Sequence, residues 1–177
     1  MKAGIGPAGN IASGWPMQEA CNIRKGRWGM EVKRILWPTD FSENSAKALP
    51  WLVDLADKYG AEILALNVTE PLNRYVVMAD LTSGDEARKI YDRAREHSVN
   101  KLYEVCDEHL NQCRLMDKRV VTGDPAEEIL KAIDKENIDL VVMATHGYSG
   151  VKRWAFGSVT DKVAANSPVP VLTVRAD

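Results

Sequence analysis

Short apolar runs alternate with amphipathic stretches along most of this chain. Val32–Trp37 is an apolar run closed by Pro38, and its length predicts a strand. Ser42 is placed to cap a helix with Glu43 in its first turn. Ala46, Leu49, Val53 and Ala56 then follow helical spacing, and Gly60 ends the helix. Pro50 conflicts with an unbroken helix and predicts a kink or a local break. Glu62–Val68 is a second strand, and a loop with Pro71 near its start runs from Thr69 to Thr82. Ser83-Gly84-Asp85-Glu86 has the spacing of a capping box. It opens a long helix with Ile90, Ala94, Leu102, Val105 and Cys113 near one stripe.

Asp117–Thr122 is a third strand and Gly123 a turn. Asp124-Pro125-Ala126-Glu127 then gives an N-cap, a proline at the first helical position and an acid at the third. That helix ends near Glu136-Asn137. Ile138–Ala144 is an almost continuous apolar run, as suits a strand covered on both faces. After a loop over Thr145–Phe156, Gly157-Ser158 opens a last helix that stops at Ser167-Pro168, and Val169–Arg175 is a fifth strand. Strands alternating with helices predict a single doubly wound α/β domain: a five-stranded parallel sheet with helices on both faces. Ligands of such sheets bind beyond the carboxyl ends of the strands, where the winding reverses.

Composition divides the chain. The net charge over 177 residues is −2, but six of the twelve glycines and a net charge of +3 fall in residues 1–29. The remainder, 30–177, carries −5, which offers no basic footprint for nucleic acid. No apolar run approaches the ~18 residues of a membrane span. Gly4-Ile5-Gly6-Pro7-Ala8-Gly9 matches the dinucleotide fingerprint G-x-G-x-x-G, yet only three residues precede it and Pro7 removes an N–H from the phosphate-facing stretch. Residues 1–29 are therefore expected to be a poorly ordered extension or a mis-assigned start, with the domain over 30–177.

Candidate chemistry gathers at the strand ends: Pro38-Thr39-Asp40, Thr69-Glu70, Gly123-Asp124-Pro125, and Thr145-His146-Gly147-Tyr148-Ser149-Gly150 followed by Gly157-Ser158-Val159-Thr160. Glycines let backbone approach an anion, and the first N–H groups of a helix are unsatisfied and favour negative charge. Ser158 and Thr160 add hydroxyls, and no acid precedes Asp161. The lysine of a G-x-x-x-x-G-K-[ST] loop is missing, although Lys152 and Arg153 are near in sequence. Spacing alone fits both a phosphate cradle and a plain loop end with a helix cap.

Met143-Ala144-Thr145-His146-Gly147, nine residues, then Gly157-Ser158-Val159-Thr160 is similar to the nucleotide motif of the universal stress protein family: G-x-x-G, nine residues, then G-[ST]. Ile35–Ser42, Val120–Pro125 and Ser167–Arg175 resemble that family's first strand and turn, third strand end and last strand. The resemblance runs in order across 30–177 and implies a sheet of order 3-2-1-4-5 with a site between strands one and four. It implies ATP as ligand, with Mg2+ arriving on the phosphates, and a homodimer through the edge strand 169–175. By position, Pro38, Asp40 and Val68 would surround the adenine. Ala144, Thr145 and Gly147 would line ribose and phosphates, and Gly157, Ser158, Val159 and Thr160 would hold the phosphates. Thr39, Met143, His146 and Gly150 complete the candidate set. One departure stands out: Ala144 occupies the motif's first glycine position, adding a Cβ and disfavouring φ > 0.

The expected role is a stress-linked sensor or regulator whose contacts change with occupancy; the alternatives are a ligand-free interaction module of the same fold and a slow ATPase. No base is paired with a nucleophile, so no catalytic residue is assigned. His97 and His109 fall on the long helix without partners, and His146 reads as loop-shaping. Cys21, Cys106 and Cys113 form no C-x-x-C; the last two lie two turns apart on one predicted helix face, too far for a disulfide. No zinc spacing and no secretory signal occur, so the expected setting is the cytoplasm.

Overall fold

The computed structural model describes residues 31–69, 71, 84–145 and 157–175. The extension with its Gly4–Gly9 cluster, Cys21, Ser83 and residues 146–156 lie outside them. Five strands, β1 (Arg34–Pro38), β2 (Glu62–Thr69), β3 (Arg114–Thr122), β4 (Leu140–Ala144) and β5 (Val171–Val174), form one parallel sheet in the order β3-β2-β1-β4-β5. Between them run α1 (Glu43–Ala46), α2 (Leu49–Tyr59), α3 (Gly84–His109), α4 (Pro125–Lys135) and α5 (Ser158–Asn166).

Alternation along each strand builds the two cores. Ile35, Trp37, Ile63, Ala65 and Val142 point to one face, under Leu49, Leu52 and Ala56 of α2 and Leu102 and Cys106 of α3. Leu36, Leu64, Leu66, Val141 and Met143 point to the other, under Ala126, Ile129, Ala132 and Ile133 of α4 and Val163 of α5.

The local signals act where one side chain decides geometry. Ser42 caps α1 by accepting from Ser45 N, and Gly60 ends α2 in the left-handed region at φ 65°. Pro50 breaks the helix in two, and the second piece starts at Leu49 with the proline in its first turn. The break leaves Ala46 exposed and puts Leu52 in the core, correcting the predicted stripe. On α3 the buried positions are Ala87, Leu102 and Cys106, whereas Ile90 is 39% exposed. This helix ends at His109, so Cys113 stands in the turn beyond it rather than on its face.

β3 begins three residues before the predicted start. A register shift opposite Ile63/Leu64 leaves Met116 unpaired, and the strand is only half-buried, so its alternation is faint. β4 and β5 are shorter than their apolar runs, at Leu140–Ala144 and Val171–Val174. The two sheet edges differ. β3 carries Arg114, Asp117, Lys118 and Arg119, charges that blunt an edge, while β5 is Val171-Leu172-Thr173-Val174 with none.

Candidate functional site

β1 and β4 pair only at Ile35↔Leu140 and Leu36↔Val141. Each then continues with its outer neighbour alone. β1 follows β2 to Pro38↔Leu66, and Thr39 N donates to Leu66 O at 2.9 Å. β4 follows β5 to Ala144↔Val174, and Thr145 N donates to Val174 O at 2.8 Å. The inner strands therefore lose each other at their carboxyl ends, and the opening falls at the switch point of the winding.

A fixed turn forms the lip on the β1 side. Thr39 is buried; its Oγ1 accepts from Phe41 N and bonds to Ser45 Oγ, both at 3.1 Å. Ser45 Oγ donates onward to Ser42 O at 2.9 Å. Asp40 Oδ1 accepts from Ser42 N at 3.0 Å and from Ser42 Oγ at 2.7 Å. These bonds hold Phe41 at φ 63°, a left-handed conformation that disfavours a bulky L-residue by about 1–2 kcal/mol. Asn67, buried near the end of β2, donates Nδ2 to Thr39 O at 2.8 Å. Pro38 is buried beside this turn, and Val68 is half-buried one residue after Asn67.

On the β4 side, Met143, Ala144 and Thr145 are buried. Gly157 N donates to Thr145 O at 2.6 Å, which brings the start of α5 to the end of β4. Thr160 Oγ1 donates to Ala144 O at 3.0 Å. That bond corrects the donor role spacing suggested: the Thr160 hydroxyl hydrogen clamps helix to strand, and the exposed Ser158 hydroxyl remains in the first turn. Gly157 caps α5 from extended backbone with no side-chain cap, and the first helical bond runs from Asp161 N to Gly157 O at 2.9 Å. α4 is the contrast: Asp124 Oδ1 accepts from Ala126 N and Glu127 N at 3.1 Å, so its own carboxylate satisfies that terminus. The start of α5 has no such side-chain cap, so its first N–H groups present the positive end of the helix, with the exposed Asp161 one position beyond them.

Ala144 lies within β4, and the non-glycine residues with positive φ among those described are Phe41 and Asn137, so its Cβ imposes no backbone strain. His146, Gly147 and Gly150 lie outside the described residues. Among those described, no three His, Cys, Asp or Glu side chains converge to hold a metal ion. Burial pushes the Cys106 thiol up to about 11, making it a packing group rather than a nucleophile. The strand-end reading overlooked Asn67. Its signal was a lone amide in the apolar run Ile63-Leu64-Ala65-Leu66-Asn67-Val68.

The pattern of the universal stress protein family matches residues 31–175. Universal stress protein MJ0577 of Methanocaldococcus jannaschii is 29% identical over 153 residues, 81% of this chain and 94% of that protein. The solved structure of MJ0577 superposes with a TM-score of 0.71 over 83% of this chain and 98% of its own. A universal stress protein in complex with cAMP (20% identical, TM-score 0.54, 83% of this chain and 99% of that one) shares the fold. So does Arabidopsis thaliana At3g01520 with AMP bound (16%, TM-score 0.54, 82% and 92%). The family pattern begins before β1 and ends after β5, taking in both lips of the opening, and the chain belongs to the universal stress protein family.

Proposed function

We propose that the opening between β1 and β4 binds ATP, that residues 30–177 are the functional domain, and that occupancy alters the contacts of a stress-linked regulator. The observation that carries this reading is the uncapped start of α5, tied by Gly157 N to Thr145 O at the point where β4 leaves β1. Backbone N–H groups with a helix dipole behind them suit a phosphate chain. In this reading Gly157, Ser158, Val159 and Thr160 hold the phosphates through backbone and the Ser158 hydroxyl. Met143, Ala144 and Thr145 form the floor, with His146, Gly147 and Gly150 in the loop between. Pro38, Thr39, Asp40 and Val68 frame the base. Mg2+ would be carried by the phosphates. The cAMP and AMP in two solved relatives support an adenine nucleotide as ligand class.

A second copy pairing along β5 completes the proposal. β5 is the uncharged edge of the sheet and half-exposed along its length, and a two-fold pairing there would cover it. Among the described residues no helix is long and apolar enough to cross a membrane, and the free cysteines Cys106 and Cys113 suit the cytoplasmic setting proposed. The test uses one preparation of the full chain. Mass spectrometry of the denatured protein is expected to show an adenine nucleotide, calorimetry to show heat on titrating Mg-ATP, and light scattering to give twice 19.7 kDa. No heat at millimolar Mg-ATP would leave a ligand-free interaction module, and a monomer mass would remove the β5 pairing.

A further inference from the structure

Among the described residues, the buried side-chain polar atoms without a partner are Trp37 Nε1, near the end of β1 at the opening, and Asn67 Oδ1, near the end of the neighbouring β2. The orientation of the Asn67 amide is fixed: exchanging its nitrogen and oxygen would set Oδ1 against Thr39 O, where Nδ2 now donates at 2.8 Å. The fold therefore retains an amide half-satisfied in its core, and the satisfied half does something a leucine could not.

Thr39 N donates to Leu66 O, so Leu66 turns its backbone groups toward β1. Thr69 O accepts from Gly123 N, so Thr69 turns its groups toward β3. Alternation then directs the N–H and C=O of Val68 toward β1. A continuing parallel ladder would send Val68 N–H to Thr39 O. The side chain of Asn67 holds that carbonyl instead. It ends the β1–β2 ladder one bond early and leaves the Val68 N–H and C=O as an unpaired strand edge beside the opening. The Thr39 carbonyl is drawn toward β2, so the trans peptide that follows turns Asp40 N–H the opposite way, toward the β4 side.

We infer that Asn67 is a positioning residue for the ligand's base: it plugs the ladder so that Val68 presents one donor and one acceptor to a heterocycle with the complementary pair, as the amino-pyrimidine edge of adenine has. The inference rests on the nucleotide reading above. Asn67→Leu removes the plug and lets Val68 N–H close on Thr39 O. Mg-ATP affinity is then expected to fall about tenfold or more while Tm holds or rises, because an orphan acceptor leaves the core. Asn67→Ala, which adds no bulk, is expected to lose affinity likewise. Hydrogen exchange at the Val68 amide supplies a readout independent of binding. It should be fast in nucleotide-free wild type, and slow in Asn67→Leu without nucleotide. Wild-type affinity in both variants, a slow Val68 amide in nucleotide-free wild type, or an affinity loss that only tracks a fall in Tm in both variants would overturn the inference. Absence of ATP binding in wild type would instead overturn the nucleotide reading, and the exchange rates would still decide the ladder plug.

Discussion

At the amino end of the sheet, Asp139 Oδ2 accepts from Lys33 N at 2.8 Å and Arg34 N at 2.9 Å, tying the approach to β4 onto the start of β1. Asp139 N returns a bond to Arg34 O at 2.9 Å. Arg34 Nη1 donates to Glu136 O at 2.7 Å, and the Glu136 carboxylate takes Arg119 Nη1 at 2.6 Å, so the end of α4 is fastened to both β1 and β3. At the carboxyl end the same two central strands have no pairing past Leu36 and Val141. There the backbone is strained at Phe41, a core amide is half-satisfied at Asn67, and a helix starts without a cap. One end of the sheet satisfies its polar groups within the fold; the other leaves several unsatisfied, where the proposed ligand would lie. Stability and binding should therefore separate by location.

The largest effect is expected at the open end. Ser158→Glu puts a carboxylate among the N–H groups of α5, where the phosphates would lie, and should lower Mg-ATP affinity by about a hundredfold or more. The same acid favours the helix dipole by about 0.3–1 kcal/mol, so Tm should hold or rise slightly. Gly157→Val is a companion: φ −72° and ψ 157° are open to any residue, so the valine blocks the ligand without straining the chain. Calorimetry and thermal melts on the two variants check this, and unchanged affinity in both would place the phosphates elsewhere.

The second effect is smaller and of the opposite kind. Asp139→Ala strips the acceptor from two backbone N–H groups at the closed end. It should cost about 1–3 kcal/mol, several degrees in Tm, with Mg-ATP affinity unchanged. A matching loss of affinity would mean that the two ends are coupled through β1 and β4.

The same division explains what was legible in the sequence. Caps at Ser42, Gly60 and Asp124 and the break at Pro50 depend on one side chain and its neighbours, so residue order reveals them. The alternation of strands and helices reveals the parallel sheet, and the strand order that the family resemblance implies, which the structure has, places the ends of β1 and β4 side by side. The start of β3 was hidden because the bulge at Met116 interrupts alternation on an already half-buried edge. At the site, the Thr160 hydroxyl and the Asn67 amide were misjudged or missed because their acceptors lie 16 and 28 residues away. Which carbonyl captures a buried donor is decided by packing, which spacing does not encode.

The smallest effect sharpens the comparison by its pH dependence. The hydrogen bond from Arg119, followed by the attraction of its charge, holds the Glu136 carboxyl below its ordinary value of 4.5 against the opposing effect of burial. A carboxyl that is more acidic when folded binds its proton less readily in the native state than in the unfolded one. Its contribution is full above 4.5 and is lost as pH falls through the lower, folded value. Glu136→Gln keeps an oxygen for Arg119 but removes the charge. Its Tm should fall slightly below wild type at neutral pH, and the gap should close as pH is lowered below 4.5, because protonation makes the wild-type group neutral as well. Melting both proteins from pH 7 to pH 3 measures the closure. A gap that stays constant would mean that Glu136 acts through packing alone. A gap that closes while Mg-ATP affinity at neutral pH matches wild type would show that the charge at the end of α4 serves the closed end of the sheet and not the open one.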